Sequence, residues 1–494
     1  MLLEFLPDNI LEEFRWEKAP SDAWCPWSPF SADNFMLLYR KQKRMKWIEA
    51  MSVDKKDILA DLQKKGKEYD SVFQNARKLA FYPEDRSGLE LCHSFLTKVP
   101  LVEDLIIHTN FEYAVPQIPT RELNDSATGP GLITSTIFGH MLPFDKCTPF
   151  AHLKAIRLHK VNLRHCAQTY CRFIDFTNIE FLRLFHCTGA DTLLSQLCKS
   201  TCLPRKLKVF ELQHKDNSES EALMALDTFL CLASGIRDLI IDMDNVKELP
   251  APAGITKHGK TLELLNVHTF SGGSLDCESE ENVWSTEDFE KICKSTTSLE
   301  QLSCAWPATS LIRSPSDNWQ AFEMALLNLT NLVTLNITNW PSNKPSTNYL
   351  PRSVYEQLLQ SLAQRCFELM AGTHKTSSTT TTSTATTATS TPPPTAASNN
   401  TSSPPSVVPR SSKPTLIAFG ASDKIYEREE SKSISIFLRS KQVTAEGKDA
   451  VHAVPISWCL RQFVEPRSEV LDFVLSRQTR PPVREWEREE DDDV

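Results

Sequence analysis

Eight times along this 494-residue chain an apolar residue is followed three places on by a second and five places on by a third. The copies are Val102, Leu105, Ile107; Leu153, Ile156, Leu158; Ile179, Leu182, Leu184; Leu207, Phe210, Leu212; Ile236, Leu239, Ile241; Leu262, Leu265, Val267; Leu299, Leu302, Cys304; and Leu332, Leu335, Ile337. Start to start, the intervals are 51, 26, 28, 29, 26, 37 and 33 residues. One copy arises by chance in any helix-rich chain; eight in order do not. The second and third apolar residues sit two apart, the period of a strand with one buried face, so each copy predicts a short strand.

Between copies the period changes to that of a helix. Residues 191–199 carry Leu193, Leu194 and Leu197, and 219–233 carry Leu223, Leu226, Phe229 and Leu230 on one face. Residues 317–329 carry Trp319, Phe322, Ala325, Leu326 and Leu329, and 354–370 carry Leu358, Leu359, Leu362, Cys366 and Leu369. The spacing and the alternation together predict an α/β fold, a leucine-rich-repeat solenoid with one strand and one helix per unit. No unit buries its apolar face alone, so the units must stack into one core. The 51-residue first interval leaves room for one degenerate unit.

One tract interrupts the pattern. From 376 to 412 the chain is almost wholly Ser, Thr, Ala and Pro, with Arg410 its only charge, too little apolar surface to offset the entropy of ordering. Ile417 and Phe419 read as a further strand, so the tract is expected as an insertion after which the solenoid resumes, with more strands at 433–438 and 450–458. The acidic run at 485–493 reads as a solvated tail.

The first hundred residues differ. Leu6-Pro7-Asp8-Asn9-Ile10-Leu11 is expected to start a short helix. A Pro/Trp-rich stretch follows from 16 to 29, and Ser31 then caps an expected helix reaching about Met51, which buries Phe35, Leu38, Met45 and Ile48. The basic run from Arg40 to Lys46 falls on its polar face. The L-P-x-x-I-L start, Leu37-Leu38 and the basic stretch ending at Trp47 together resemble an F-box. With "LKAIRLHKVNLRHC", "FLRLFHCTGAD" and "GITKHGKTLELLNVH", the chain is similar to a group of fungal F-box/leucine-rich-repeat proteins, largely uncharacterised. The resemblance implies that Leu6, Pro7, Ile10, Leu11, Leu37 and Leu38 dock a Skp-type adaptor of a cullin ubiquitin ligase, the repeats capturing its substrate. Two departures stand out: the Pro/Trp insertion separates the helices, and the mid-motif cysteine before the Trp is absent. The other reading makes these helices a cap on the end of a regulatory or structural scaffold with no ligase link. The expected organisation is thus an F-box-like, all-helical region at 1–65, a solenoid at 66–372, a disordered insertion at 373–413, a solenoid continuation and cap at 414–480, and an acidic tail at 481–494.

Charge and cysteine use narrow the function. A net charge of −9 disfavours general nucleic-acid binding. Fourteen cysteines are scattered without a C-x-x-C pair, and Cys187, Cys304 and Cys366 fall on core positions, so reduced thiols in the cytoplasm or nucleus are expected. No secretion signal and no apolar run of membrane-spanning length is read. No nucleophile, zinc-protease or phosphate-loop motif occurs, so no enzyme activity, cofactor or metal is expected. His108, His159 and His268 occupy matching repeat positions but are taken to lie in distant units. An arginine-bearing scaffold acting on a GTPase is the remaining enzymatic reading, and no arginine marks it.

Residues between the core positions should point to the opposite face of the sheet. One outward column reads Ile106, Arg157, Arg183, Glu211, Ile240, Asn266, Ser303, Asn336, and its neighbour His108, His159, Phe185, Gln213, Asp242, His268, Ala305, Thr338. Arg157, His159, Arg183 and Phe185 form a basic, aromatic section of the kind favoured at binding hot spots, expected to contact an acidic segment of a protein partner.

Overall fold

The computed structural model describes residues 2–14, 31–50, 55–83, 85–109, 132–138, 150–199, 201–216, 221–271, 281–339, 352–371, 414–420, 435–443, 449–457, 460 and 464. Among them thirteen strands form one sheet in chain order. They are β1 (Trp47–Ala50), β2 (Lys78–Phe81), β3 (Asp104–His108), β4 (Ala155–His159), β5 (Phe181–Phe185), β6 (Val209–Lys215), β7 (Asp238–Asp244), β8 (Leu264–Phe270), β9 (Gln301–Cys304), β10 (Thr334–Ile337), β11 (Leu416–Phe419), β12 (Ser435–Val443) and β13 (Asp449–Ile456). From β1 to β11 every pairing is parallel. β12 and β13 close the sheet as an antiparallel hairpin.

All eight sequence copies are strands, β3 to β10. The second and third apolar residues of neighbouring copies are register partners, as Ile156 is of Leu182 and Leu158 of Leu184. These residues are buried in one core with the inner faces of the helices that return the chain between strands, among them Ala190–Leu197, Ala222–Leu232, Thr286–Ser295 and Asp317–Leu326. A parallel pair needs such a crossover, which is why each unit carries its own. The other face of the sheet has no helix in its core cluster. Cys187, Cys304 and Cys366 are buried free thiols; burial pushes the Cys187 thiol up to about 12, so it is an inert core filler.

The stacking has a fixed backbone signature. The residue just before each of β1 to β10 offers its carbonyl to two amides of the next unit: Lys154 O accepts from Glu180 N (2.7 Å) and Phe181 N (3.0 Å), and Glu180 O from Lys208 N and Val209 N. The same position carries a line of charge. Arg77 and Lys154 flank Glu103 (3.8 and 2.9 Å), Lys208 meets Glu180 (2.6 Å), and Arg237 meets Glu263 (3.8 Å).

Several expectations are corrected. β3 pairs directly with β4, so no strand stands between them in the sheet; among its described residues the 51-residue interval holds the helix Leu132–Ile137. The N-terminal region is not all-helical. Ser31 does cap a helix, accepting from Asn34 N, but that helix ends at Lys41, and Trp47–Ala50 is β1 of the sheet. Met45 and Ile48 are buried as expected, but as repeat positions. They satisfy helical and strand spacing at once, and the non-local pairing with β2 decides between them. The short N-terminal helix is Leu2–Phe5, so Pro7 follows it rather than starting it. The chain from Pro7 to Leu11 is instead clamped by the buried Gln42, whose Oε1 accepts from Ile10 N (2.8 Å) and Leu11 N (3.0 Å) while Nε2 donates to Pro7 O (2.8 Å).

β11 follows the Ser/Thr tract in sequence and pairs with β10, which precedes it, so the sheet continues across the interruption. At the far edge, helix Arg352–Ala371 seals β13: Gln360 Nε2 donates to Ala453 O (2.7 Å), and Gln364 Oε1 accepts from Ala453 N (2.7 Å). An open edge strand is a template for aggregation, and these amides occupy it. The Pro/Trp stretch at 16–29, the tract at 376–412 and the acidic run at 485–493 lie outside the described residues.

Candidate functional site

The two outward columns are real alignments. Ile106, Arg157, Arg183, Glu211, Ile240, Asn266, Ser303 and Asn336 are successive register partners from β3 to β10. His108, His159, Phe185, Gln213, Asp242 and His268 are likewise aligned from β3 to β8. One face therefore carries one residue per unit in each column, at strand spacing.

Rings meet one another, tilted, along the second column. Tyr82 lies 5.7 Å from His108, His108 3.8 Å from His159, and His159 6.0 Å from Phe185, centroid to centroid. His108 and His159 are thus in adjacent units, a correction to their expected separation; only His268 is remote, on β8. Among the described residues no group of three metal-ligating side chains is placed to hold an ion. The Arg157 guanidinium sits 5.9 Å above the Phe185 ring, a cation–π contact.

The four residues of the expected partner-binding section divide by exposure. Arg157 and Arg183 are half-buried, whereas His159 and Phe185 are buried, the Phe185 ring lying beneath the Arg157 guanidinium. The section is also less basic than its sequence suggests. Arg183 Nε lies 3.4 Å from Glu211 Oε2, a carboxylate only 1% exposed, and Asp104 borders Arg157 from β3. Burial pushes the Asp104 carboxyl above its ordinary value, opposed by the charges of Arg157, Lys78 and Arg183. The pattern is an alternation, carboxylate–arginine–arginine–carboxylate, in place of a uniform positive patch. It can receive a segment bearing both charge and hydrogen-bonding groups.

Further along, the same face carries a buried polar network. Asn336 Nδ2 donates to Ser303 Oγ (3.0 Å), Ser303 Oγ meets His268 Nε2 (3.3 Å), and His268 Nδ1 meets Glu281 Oε1 (3.2 Å), which also accepts from Thr338 Oγ1 (2.5 Å). The spacing is that of a hydroxyl–imidazole–carboxylate relay, but Ser303 is fully buried and already bonded to Asn336, so here the relay fixes positions. Sequence reasoning missed it because Glu281 comes from a connecting segment, placed by its isolated bridge to Phe270. Only the column positions of Ser303, Asn336 and His268 could have signalled it.

The residues expected to dock an adaptor are not one exposed surface. Pro7 and Ile10 are exposed, Ile10 by 59%. Leu6, Leu11 and Leu37 are half-buried, and Leu38 is buried in the core beside Phe35 and Met36. The basic run is tied down: Lys41 lies 3.7 Å from Asp8, and Arg44 and Lys46 both reach Glu12, at 3.1 and 2.5 Å. Lys46 N donates to Glu12 O (2.6 Å), the backbone bond that each later unit makes to its predecessor. Among the described residues no helix is long and apolar enough to cross a membrane. No protein-family model matches the chain, and no curated protein matches it significantly.

Proposed function

We propose that this chain is a leucine-rich-repeat scaffold, without catalytic activity, that binds a protein partner along the helix-free face of its sheet. The observation that carries the reading is the alignment of one outward residue per strand, half-exposed at Ile106, Arg157 and Arg183 on β3 to β5. Such a face presents side chains at a fixed interval of about 4.8 Å, a geometry suited to an extended or helical partner segment. The test compares proteins co-purified with the full chain and with an Arg157→Ala variant. Arg157 is the better probe because Arg183→Glu would set a carboxylate against the buried Glu211 and confound binding with stability. A partner retained by wild type and reduced about tenfold by the variant, at unchanged melting temperature, supports the reading. Equal recovery of every protein contradicts it.

A second reading, the substrate receptor of a cullin-type ubiquitin ligase, is favoured by the exposed Ile10 and Pro7. Against it, Leu38 is spent in the core, and the Glu12–Lys46 backbone bond makes the N-terminal segment resemble a rudimentary first unit, which favours a capping role. Mixing purified full chain with a Skp-type adaptor separates the two. A complex lost on Ile10→Ala supports the ligase reading, and no complex supports the cap.

A further inference from the structure

On β6 to β11 the helix-free face is shut away from solvent. Glu211, Ile240, Asn266, Ser303, Asn336 and Ala418 all point away from the helix layer, yet each is buried. On β3 to β5 the same column is half-exposed. A second apolar cluster lies on this face. It joins Ile240 and Leu264, of β7 and β8, to Leu416, Ala418 and Ile436, of β11 and β12, with Val464 packed against it. Leu264 and Leu416 are three strands apart, about 14 Å, far beyond apolar contact. Between them the sheet offers the buried polar Gln301, Ser303, Thr334 and Asn336. The apolar atoms that close the cluster therefore lie above the sheet, and Val464 is one of them.

Val464 follows the last strand by eight residues, after a turn in which Leu460 N donates to Ser457 O (3.0 Å). The sequence beyond supplies more apolar groups: Val470, Leu471, Phe473, Val474 and Leu475.

We propose that the segment carrying Val464, which follows β13 in the chain, is an intramolecular occupant of this face over β7 to β12, which an external partner must displace to use it. The polar residues beneath argue that the occupant is held only moderately. Both amide atoms of Asn266, Asn336 Oδ1 and Thr334 Oγ1 are buried without hydrogen-bond partners among the described residues. Buried polar atoms left unpaired oppose the apolar gain of docking, and a partner segment that satisfies them has the advantage.

The idea rests on the proposed binding role for displacement, but its first test needs no partner. A photoreactive benzoyl-phenylalanine placed at Val464 of the full chain should cross-link within the same molecule to peptides containing 238–244, 264–270 or 416–419, independently of protein concentration. Cross-links that are absent there, or that appear only between molecules, overturn the proposal. In the second test a labelled synthetic peptide of residues 457–480 is added to full-length wild type and to full-length Val464→Glu. At least tenfold tighter binding to the variant is expected; equal binding to both overturns displaceable occupancy while leaving the binding role of β3 to β5 untouched.

Discussion

Gly189 shows how much a single residue constrains the stacking. Its φ is +76°, and a Cβ there would lie 2.3 Å from Arg164 N. The left-handed backbone and the close approach of a neighbouring turn both require the missing side chain. Gly189→Ala is expected to cost about 3 kcal/mol or more, read as the shift in a urea unfolding midpoint. A loss below about 1 kcal/mol would mean that the turn at Arg164 relaxes freely. His258 is a second sensitive point. Burial lowers its imidazole below the ordinary 6.5, reinforced by Lys257 and opposed by the Leu230 carbonyl, 3.1 Å from Nε2. Folded protein then binds fewer protons than unfolded chain between the lowered value and 6.5. The stability present above about pH 6.5 is therefore lost as pH falls through the lowered value. His258→Gln keeps a donor for Leu230 and removes the titration, so its melting temperature should fall less than that of wild type between pH 7.5 and 5. Parallel curves would assign the acid sensitivity elsewhere, for instance to His214, whose burial acts in the same direction.

At the scale of the element, the strands were legible and their ends were not. Eight copies keep Leu, Ile, Val, Phe or Cys at the triplet positions, and all eight are strands. β1 and β2 keep the spacing too, with Met45, Ile48 and Ala76, Leu79, Phe81, but weaker residues dilute the signal, and Met45 and Ile48 also fit a helix. What separates strand from helix there is the pairing Ile48↔Leu79, a contact between residues thirty-one apart that no local pattern contains. The outward columns were legible for the same reason that the strands were: period two fixes the face. Their chemistry was not, because Glu211, buried beside Arg183, and Glu281, brought in by a connecting segment, are placed by tertiary packing. A further regularity went unread although it is present in the sequence, namely the charge immediately after the first apolar residue of most units. Glu103 lies between Arg77 and Lys154 in that line, and Lys154 holds its carboxyl below the ordinary range. Glu103→Lys places three cations in a row and should lower the melting temperature by about 2 °C at low salt, with the difference vanishing in 1 M salt. A salt-independent loss would show that the side chain acts by packing and not by charge.

At the scale of the whole molecule, the chain is one uninterrupted ladder. From β1 to β11 each unit binds its predecessor through the same paired amides, the helices fill one side, and the other side is divided between a half-open section on β3 to β5 and a covered section beyond it. On the proposed reading the first section serves recognition and the second control, since a partner reaching across both would have to move the proposed occupant of β7 to β12. The Ser/Thr tract leaves this order intact, because β11 pairs with β10 across it. The order of units is therefore the central claim, and pulsed electron spin resonance between nitroxide labels measures it directly. Lys154, Arg237, Glu263, Glu300 and Thr415 occupy the same position just before β4, β7, β8, β9 and β11. With one label at 154 and the other at 237, 263, 300 or 415, the distance should rise in step, to about 14, 19, 24 and 34 Å along a flat sheet and somewhat less if it curves. A distance to 415 no longer than that to 300, or any reversal in the series, would contradict a single sheet built in chain order.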